Sequence, residues 1–305
     1  MAVGYRLTFA ERQSTIMFVP FALVFSVRRG VNGHRLGLLS HPPSIQPTAM
    51  KHNALWSLGL ACSLSLLWTS PLVAKAVTNT AVVPVPKLES DSYDWWARHA
   101  DVLRMKDAIN PEIVLIGDSI THFWGGQPVN GNANGPKAWA SVFRPYRVLN
   151  LGFGWDRTQN VLWRLDHGEM DGLHPRIVIV NIGTNNTSQT EHARQNTPAE
   201  IVAGIAAICG RVRSKAPGVK IILMQVMPRE EKPDHPRRKQ IAEINRLLVE
   251  FAKANRLDLL DLAPKLLRSD GTMRKDLMPD CCHPNEAGYA IWADALRPLL
   301  GPAGK

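Results

Sequence analysis

Residues 112–121 read Glu-Ile-Val-Leu-Ile-Gly-Asp-Ser-Ile-Thr. Four bulky apolar residues closed by a glycine suit a strand buried on both faces, as in a parallel sheet. Ser119 then falls just beyond that strand's C-terminal end. The same signature recurs downstream: residues 147–151, 176–182, 219–226 and 257–262 are short runs rich in Val, Ile and Leu. Helical patterns lie between them. Thr197-Pro198-Ala199-Glu200 combines a capping box with proline at the first helical position. It opens a helix with Ile201, Ile205, Ile208 and Val212 on one side. Ile241, Ile244, Leu248 and Phe251 repeat that spacing, and Asn285 opens a last helix running to about Leu300. Strands alternating with helices predict a three-layer α/β/α domain, flavodoxin-like, with a five-stranded parallel sheet and right-handed crossovers.

In such sheets, sites form at the C-terminal ends of the strands. The residues able to do chemistry fall there. Ser119 follows the first strand, Gly152–Asp156 the second and Asn185 the third; Asp280 and His283 follow the fifth after a longer loop. Acyl transfer by a hydroxyl needs a base to take its proton and a carboxylate to orient that base. Ser119, His283 and Asp280 supply these groups. The Asp-x-x-His spacing puts the last two on one turn.

Four segments in order, Gly117-Asp118-Ser119-Ile120, Asn150-Leu151-Gly152-Phe153-Gly154, Gly183-Thr184-Asn185-Asn186 and Asp280-Cys281-Cys282-His283, resemble the signature blocks of the SGNH/GDSL hydrolase superfamily. Val161-Leu162-Trp163-Arg164-Leu165 and Met227-Pro228-Arg229 before Glu231-Lys232-Pro233 are similar to the branch formed by the catalytic subunits of brain-type platelet-activating-factor acetylhydrolase. The resemblance spans roughly residues 112–300. It implies Ser119 as nucleophile, His283 as base and then acid, and Asp280 as the group that orients the imidazole. It also implies an oxyanion hole made by the Ser119 N–H, the Asn185 side-chain amide and a third backbone donor. At that third position the family has glycine before an aspartate, whereas here Trp155 precedes Asp156. A backbone N–H does not depend on the side chain, unless the position needs φ > 0, where tryptophan is costly. Trp155 is therefore assigned, with Gly154 as the substitute donor. The chain carries no phosphate-loop or dinucleotide fingerprint, so no cofactor is required. A homodimer is open, since the resembling subunits pair with one another.

Other readings narrow the field. No His-Glu-x-x-His, phosphate-loop or dinucleotide motif appears, and no Cys-x-x-Cys, so no metal is expected. The Gly-x-Ser-x-Gly elbow of α/β-hydrolases is absent. The net charge of +10 is concentrated at the start. Residues 1–76 carry seven basic residues and one acidic, leaving +4 on the rest, which does not call for a nucleic-acid partner. Cys209 is expected to be a buried thiol, and Cys281 and Cys282 to be free.

Residues 50–76 read as a signal peptide. Met50 and Lys51 precede an apolar stretch, Ala54–Trp68, and Ala74-Lys75-Ala76 fits a cleavage site. A retained signal anchor is the alternative. Residues 1–49 are expected to be an upstream mis-start or extension, residues 77–92 a Pro-containing linker, and residues 93–305 the hydrolase domain. Export follows, to a periplasmic or extracellular site. The expected substrate is a small-molecule or polysaccharide acyl ester, with acetylated carbohydrate first. The alternatives are an acetylhydrolase or lysophospholipase acting on phospholipid esters, and a noncatalytic glycan-binding module.

Overall fold

A computed structural model describes residues 78–129 and 132–303; the signal-peptide reading, residues 1–49 and Cys62 lie outside them. Five strands form one all-parallel sheet. They are β1 (Ile113–Gly117), β2 (Val148–Gly152), β3 (Ile177–Asn181), β4 (Lys220–Met224) and β5 (Asp258–Leu260), in the spatial order β2-β1-β3-β4-β5. Each matches an expected run, with the ends trimmed or moved by one or two residues.

The strands are apolar on both faces because each face has its own helix layer. Val114 and Ile116 of β1, with Leu149, Leu151, Val178 and Val180, pack against α1 (Trp95–Ile109), α4 (Thr158–Asp166), α5 (Pro198–Lys215) and α6 (Pro236–Asn255). The alternate residues Ile113, Leu115, Ile177 and Ile179 face α3 (Pro136–Phe143) and α8 (Glu286–Leu300). A strand with a polar face could not occupy this position without burying unpaired groups. Short helices α2 (Ser119–His122) and α7 (Ala263–Leu266) complete the set.

The helix starts follow the sequence signals. Thr197 and Glu200 make the reciprocal capping box of α5, and Asn285 caps α8 through the Gly288 N–H. The strand order reverses direction between β1 and β3, so the crevice of the fold opens at their C-terminal ends. Ser119 and Asn185 sit at those ends.

Residues 78–92 show no strand or helix periodicity, yet they are packed. Ala81 is fully buried, the Thr158 hydroxyl donates to its carbonyl, and the Asn160 amide donates to the Pro86 carbonyl. Side chains of α4 thus bind this stretch, expected to be a Pro-containing linker, to the domain. Trp124 and Trp163 are packing residues: Trp124 is fully buried and stacks on Trp292, and Trp163 lies half-buried against Trp95. Cys209 is buried, and the three described cysteines are free thiols.

Candidate active site

The site begins with a tight exit from β1. A Cβ at Gly117 would collide with the Thr121 hydroxyl and the Asn181 carbonyl, so the chain can turn there only without a side chain. Asp118 caps α2 by accepting from the Ile120 N–H at 3.0 Å. Burial pushes its carboxyl up to about 7, despite that bond and the nearby Arg229. Ser119 is therefore the first residue of a helix turn. Its own N–H donates to no protein acceptor among the described residues.

The Ser119 Oγ lies 2.8 Å from His283 Nε2, and His283 Nδ1 lies 2.6 Å from Asp280 Oδ2. The other oxygen, Asp280 Oδ1, accepts from the backbone N–H groups of Cys282 and His283 at 2.9 and 2.7 Å. Partial burial opposes the charge on Asp280. The His283 backbone and ring bonds outweigh it and hold the carboxyl below its ordinary value. A proton on Nδ1 facing the carboxylate leaves Nε2 to accept from the serine hydroxyl. The structure thus joins into one relay three residues that are up to 164 positions apart.

Asn185 lies in a single 3-10 turn after β3 and is buried. One amide hydrogen of its Nδ2 donates to the Asp156 carbonyl at 3.0 Å, and the amide has a second hydrogen to give. The adjacent Asn186 ties this turn to α4 by accepting from the Thr158 N–H at 2.9 Å.

The loop after β2 is held from below by charge. The Arg98 Nε donates to the Gly152 carbonyl at 2.8 Å, and its Nη2 to the Asn150 carbonyl. The Arg164 Nε donates to Asp156 Oδ2 at 2.7 Å, and Trp95 Nε1 to Asp156 Oδ1 at 2.8 Å. Arg164 also pairs with buried Glu169. The two guanidinium groups lie over the Phe153 ring at 5.0 and 4.0 Å, at cation–π range. Burial raises the Asp156 carboxyl to about 6, against the pull of Arg164 and Trp95.

Trp155 rides on this base with φ of 63°, the left-handed region that favours glycine. That is the condition under which tryptophan costs about 1–2 kcal/mol. Its N–H donates to no acceptor among the described residues, and its side chain is 37% exposed. Trp155 lines the pocket around Ser119, Asn185 and His283, whereas Gly154 does not, and the Gly154 carbonyl accepts from the Tyr93 hydroxyl. We expect Trp155→Gly to change stability by less than about 1 kcal/mol, because relief of the backbone offsets lost packing. A buried tryptophan in ordinary conformation would cost about 3–5 kcal/mol on truncation. Thermal unfolding checks this; a loss in that larger range would remove the strain argument.

The pocket is small, about 110 Å³, against ~300–1,000 Å³ for sites that hold drug-sized ligands. Asp91, Phe123, Arg229 and Cys282 complete its wall. Sequence reasoning gave none of these a role. Asp91 belongs to the stretch expected to be a linker. Arg229 stands in a quoted block, but a lone arginine carries no sign of what it faces. The basic run Arg237-Arg238-Lys239 after it is partly structural. Arg237 pairs with Glu230, and Arg238 donates to the Glu230 and Gly271 carbonyls, fixing the loop that carries Arg229. His122 is buried against Tyr93, and His167 stacks on Trp163. No group of residues suited to hold a metal occurs among the described residues.

The sequence model of the GDSL-like Lipase/Acylhydrolase family matches residues 115–291. Platelet-activating factor acetylhydrolase IB subunit alpha2 of Homo sapiens is 33% identical over 226 residues, covering 73% of this chain and 91% of that protein. Among solved structures, a putative acylhydrolase from Bacteroides fragilis superposes with a TM-score of 0.54 at 19% identity. It covers 70% of this chain and 98% of its own. An acetylxylan esterase from Geobacillus stearothermophilus gives a TM-score of 0.50 at 20% identity, covering 63% and 94%.

Proposed function

Because the chain belongs to the GDSL-like lipase/acylhydrolase family, and so hydrolyses ester bonds, we propose that it is a serine esterase for short acyl groups, acetyl first. The observation that carries this reading is the continuous relay Ser119–His283–Asp280 beside unused N–H donors. Ser119 Oγ attacks the acyl carbon as His283 Nε2 takes its proton. The carbonyl oxygen gains the negative charge and is met by the N–H groups of Ser119 and Trp155 and by the free Asn185 amide hydrogen. Preorganised donors of this kind are worth ~3–4 kcal/mol each in studied hydrolases. His283 then protonates the leaving alcohol, giving acyl-Ser119. Water attacks that ester with its proton passing to His283, and the acid leaves as Ser119 regains its hydrogen.

The small pocket supports a short acyl group. We favour O-acetylated carbohydrate as the alcohol part, because polar Asp91 and Arg229 and the half-exposed Trp155 ring rim the pocket. A second reading, an acetylated phospholipid, is favoured by the name of the 33% identical relative. Turnover of p-nitrophenyl acetate, butyrate and octanoate tests the acyl preference. Acetate should exceed octanoate in kcat/KM by about tenfold or more, since overfilling a pocket without room costs ~1–3 kcal/mol. Octanoate preference would overturn the short-acyl reading. Acetate release from an acetylated methyl xyloside, set against an acetylated phosphocholine lipid, separates the two alcohols.

A further inference from the structure

Arg229 lines the pocket beside Ser119 and His283, yet its guanidinium makes no hydrogen bond or ion pair among the described residues. Its Nη1 is buried. A buried donor without an acceptor is costly, and native structures rarely leave one without a reason. On the side of the Trp155 loop, Asp91 reaches the same pocket. A Cβ at Gly154 would collide with Asp91 Oδ2, so the carboxylate lies directly against that loop. Asp91 Oδ1 is occupied by the Ser92 N–H at 2.6 Å, and Oδ2 accepts no hydrogen bond from the described residues.

The geometry points to a subsite for a hydroxylated ring, in which Arg229 donates to and Asp91 accepts from hydroxyl groups of the alcohol part while Trp155 covers a ring face. This rests on, and sharpens, the acetylated-carbohydrate reading. Three facts choose a neutral polyol over an anion. Asp91 lines the site and the Asp118 carboxylate acts on Arg229 from nearby, so a phosphate or carboxylate would meet repulsion from more than one carboxylate. A hydroxyl both donates and accepts, so one sugar satisfies an unpaired cation and an unpaired carboxylate oxygen together. The exposed face of Trp155 offers an apolar surface on the same rim. Arg229 and Asp91 act here as positioning residues, since neither touches the reacting carbonyl.

The test compares wild type, Asp91→Asn and Arg229→Met on methyl xyloside monoacetate and on p-nitrophenyl acetate, with circular dichroism and melting curves to verify folding. The readout is the ratio of the two kcat/KM values. It should fall about ten- to hundredfold in each variant, mostly through KM, as expected for loss of a hydrogen bond to a charged group. Arg229→Lys should fall between wild type and Arg229→Met, because it keeps the charge and loses the fork. An unchanged ratio, with the xyloside turned over by wild type, would overturn the subsite alone. No wild-type release from the xyloside, with p-nitrophenyl acetate hydrolysed, would overturn the carbohydrate reading and the subsite with it. A ratio that rises in Asp91→Asn would mean that the carboxylate accepts from no hydroxyl of the alcohol part, and would overturn the polyol assignment.

Discussion

Ser119→Ala is expected to lower kcat on p-nitrophenyl acetate by about 10⁴- to 10⁶-fold, the range seen when a serine hydrolase loses its nucleophile. The reason is geometric. Among the described residues Ser119 Oγ has one hydrogen-bond partner, His283 Nε2 at 2.8 Å, and without the hydroxyl no covalent intermediate can form. What survives is whatever the N–H donors contribute to attack by water. The fold should not notice the change. The serine is buried at the start of a short helix whose cap is Asp118, and alanine fills the same space without an unpaired hydroxyl. His283→Ala should lose about as much, and the double variant no more than the worse single one, because the two side chains act as a unit. Rates measured beside far-ultraviolet circular dichroism check this. Retained turnover in a well-folded Ser119→Ala would sink the nucleophile assignment, while additive losses in the double variant would mean the two residues work independently.

How much of this site could be read beforehand follows from how each residue announces itself. Ser119 and Asn185 stand just beyond apolar runs, and the parallel topology carries such ends to one crevice; His283 comes long after β5 and was legible through its Asp-x-x-His spacing. The strand boundary after β1 moved by one residue because Gly117 still pairs, with Gly152 on one side and Asn181 on the other. Trp155 was legible as a departure, but its φ of 63° was not, since the left-handed turn is imposed by the buried base under the loop. That base was invisible. Arg98 and Arg164 lie on helices, where arginine is by default a solvated residue, and only the tertiary structure shows both fully buried around Phe153. Asp91 was illegible for a related reason. The stretch before it is fixed by side chains of α4 rather than by its own backbone pattern, so no periodicity marks it as part of the site.

That buried base carries the second large expected effect. Arg164→Met fills most of the same volume but leaves the Asp156 and Glu169 carboxylates, both buried, without their shared cation. Removing one partner of a buried ion pair costs about 3–5 kcal/mol, which for a domain of this size lowers Tm by about 6–20 °C. The loss should depend on pH, and the sign is fixed by Asp156. Burial already raises its carboxyl from 3.8 to about 6 with Arg164 present. A raised acid binds its proton more tightly in the folded state, so stability falls as pH rises from the unfolded value through the folded one. Without Arg164 the upper end of that window moves above about 6, and the variant keeps losing stability where wild type has levelled off. Melting curves should therefore show a larger deficit at pH 8 than at pH 5.5. Equal deficits at both would mean that lost packing, not uncompensated charge, explains the change. Because the Asp156 carbonyl accepts from Asn185, the same substitution should also lower kcat on p-nitrophenyl acetate at temperatures where the variant is folded. The effect should lie in kcat rather than KM, since a displaced oxyanion donor is missed in the transition state and not in substrate binding.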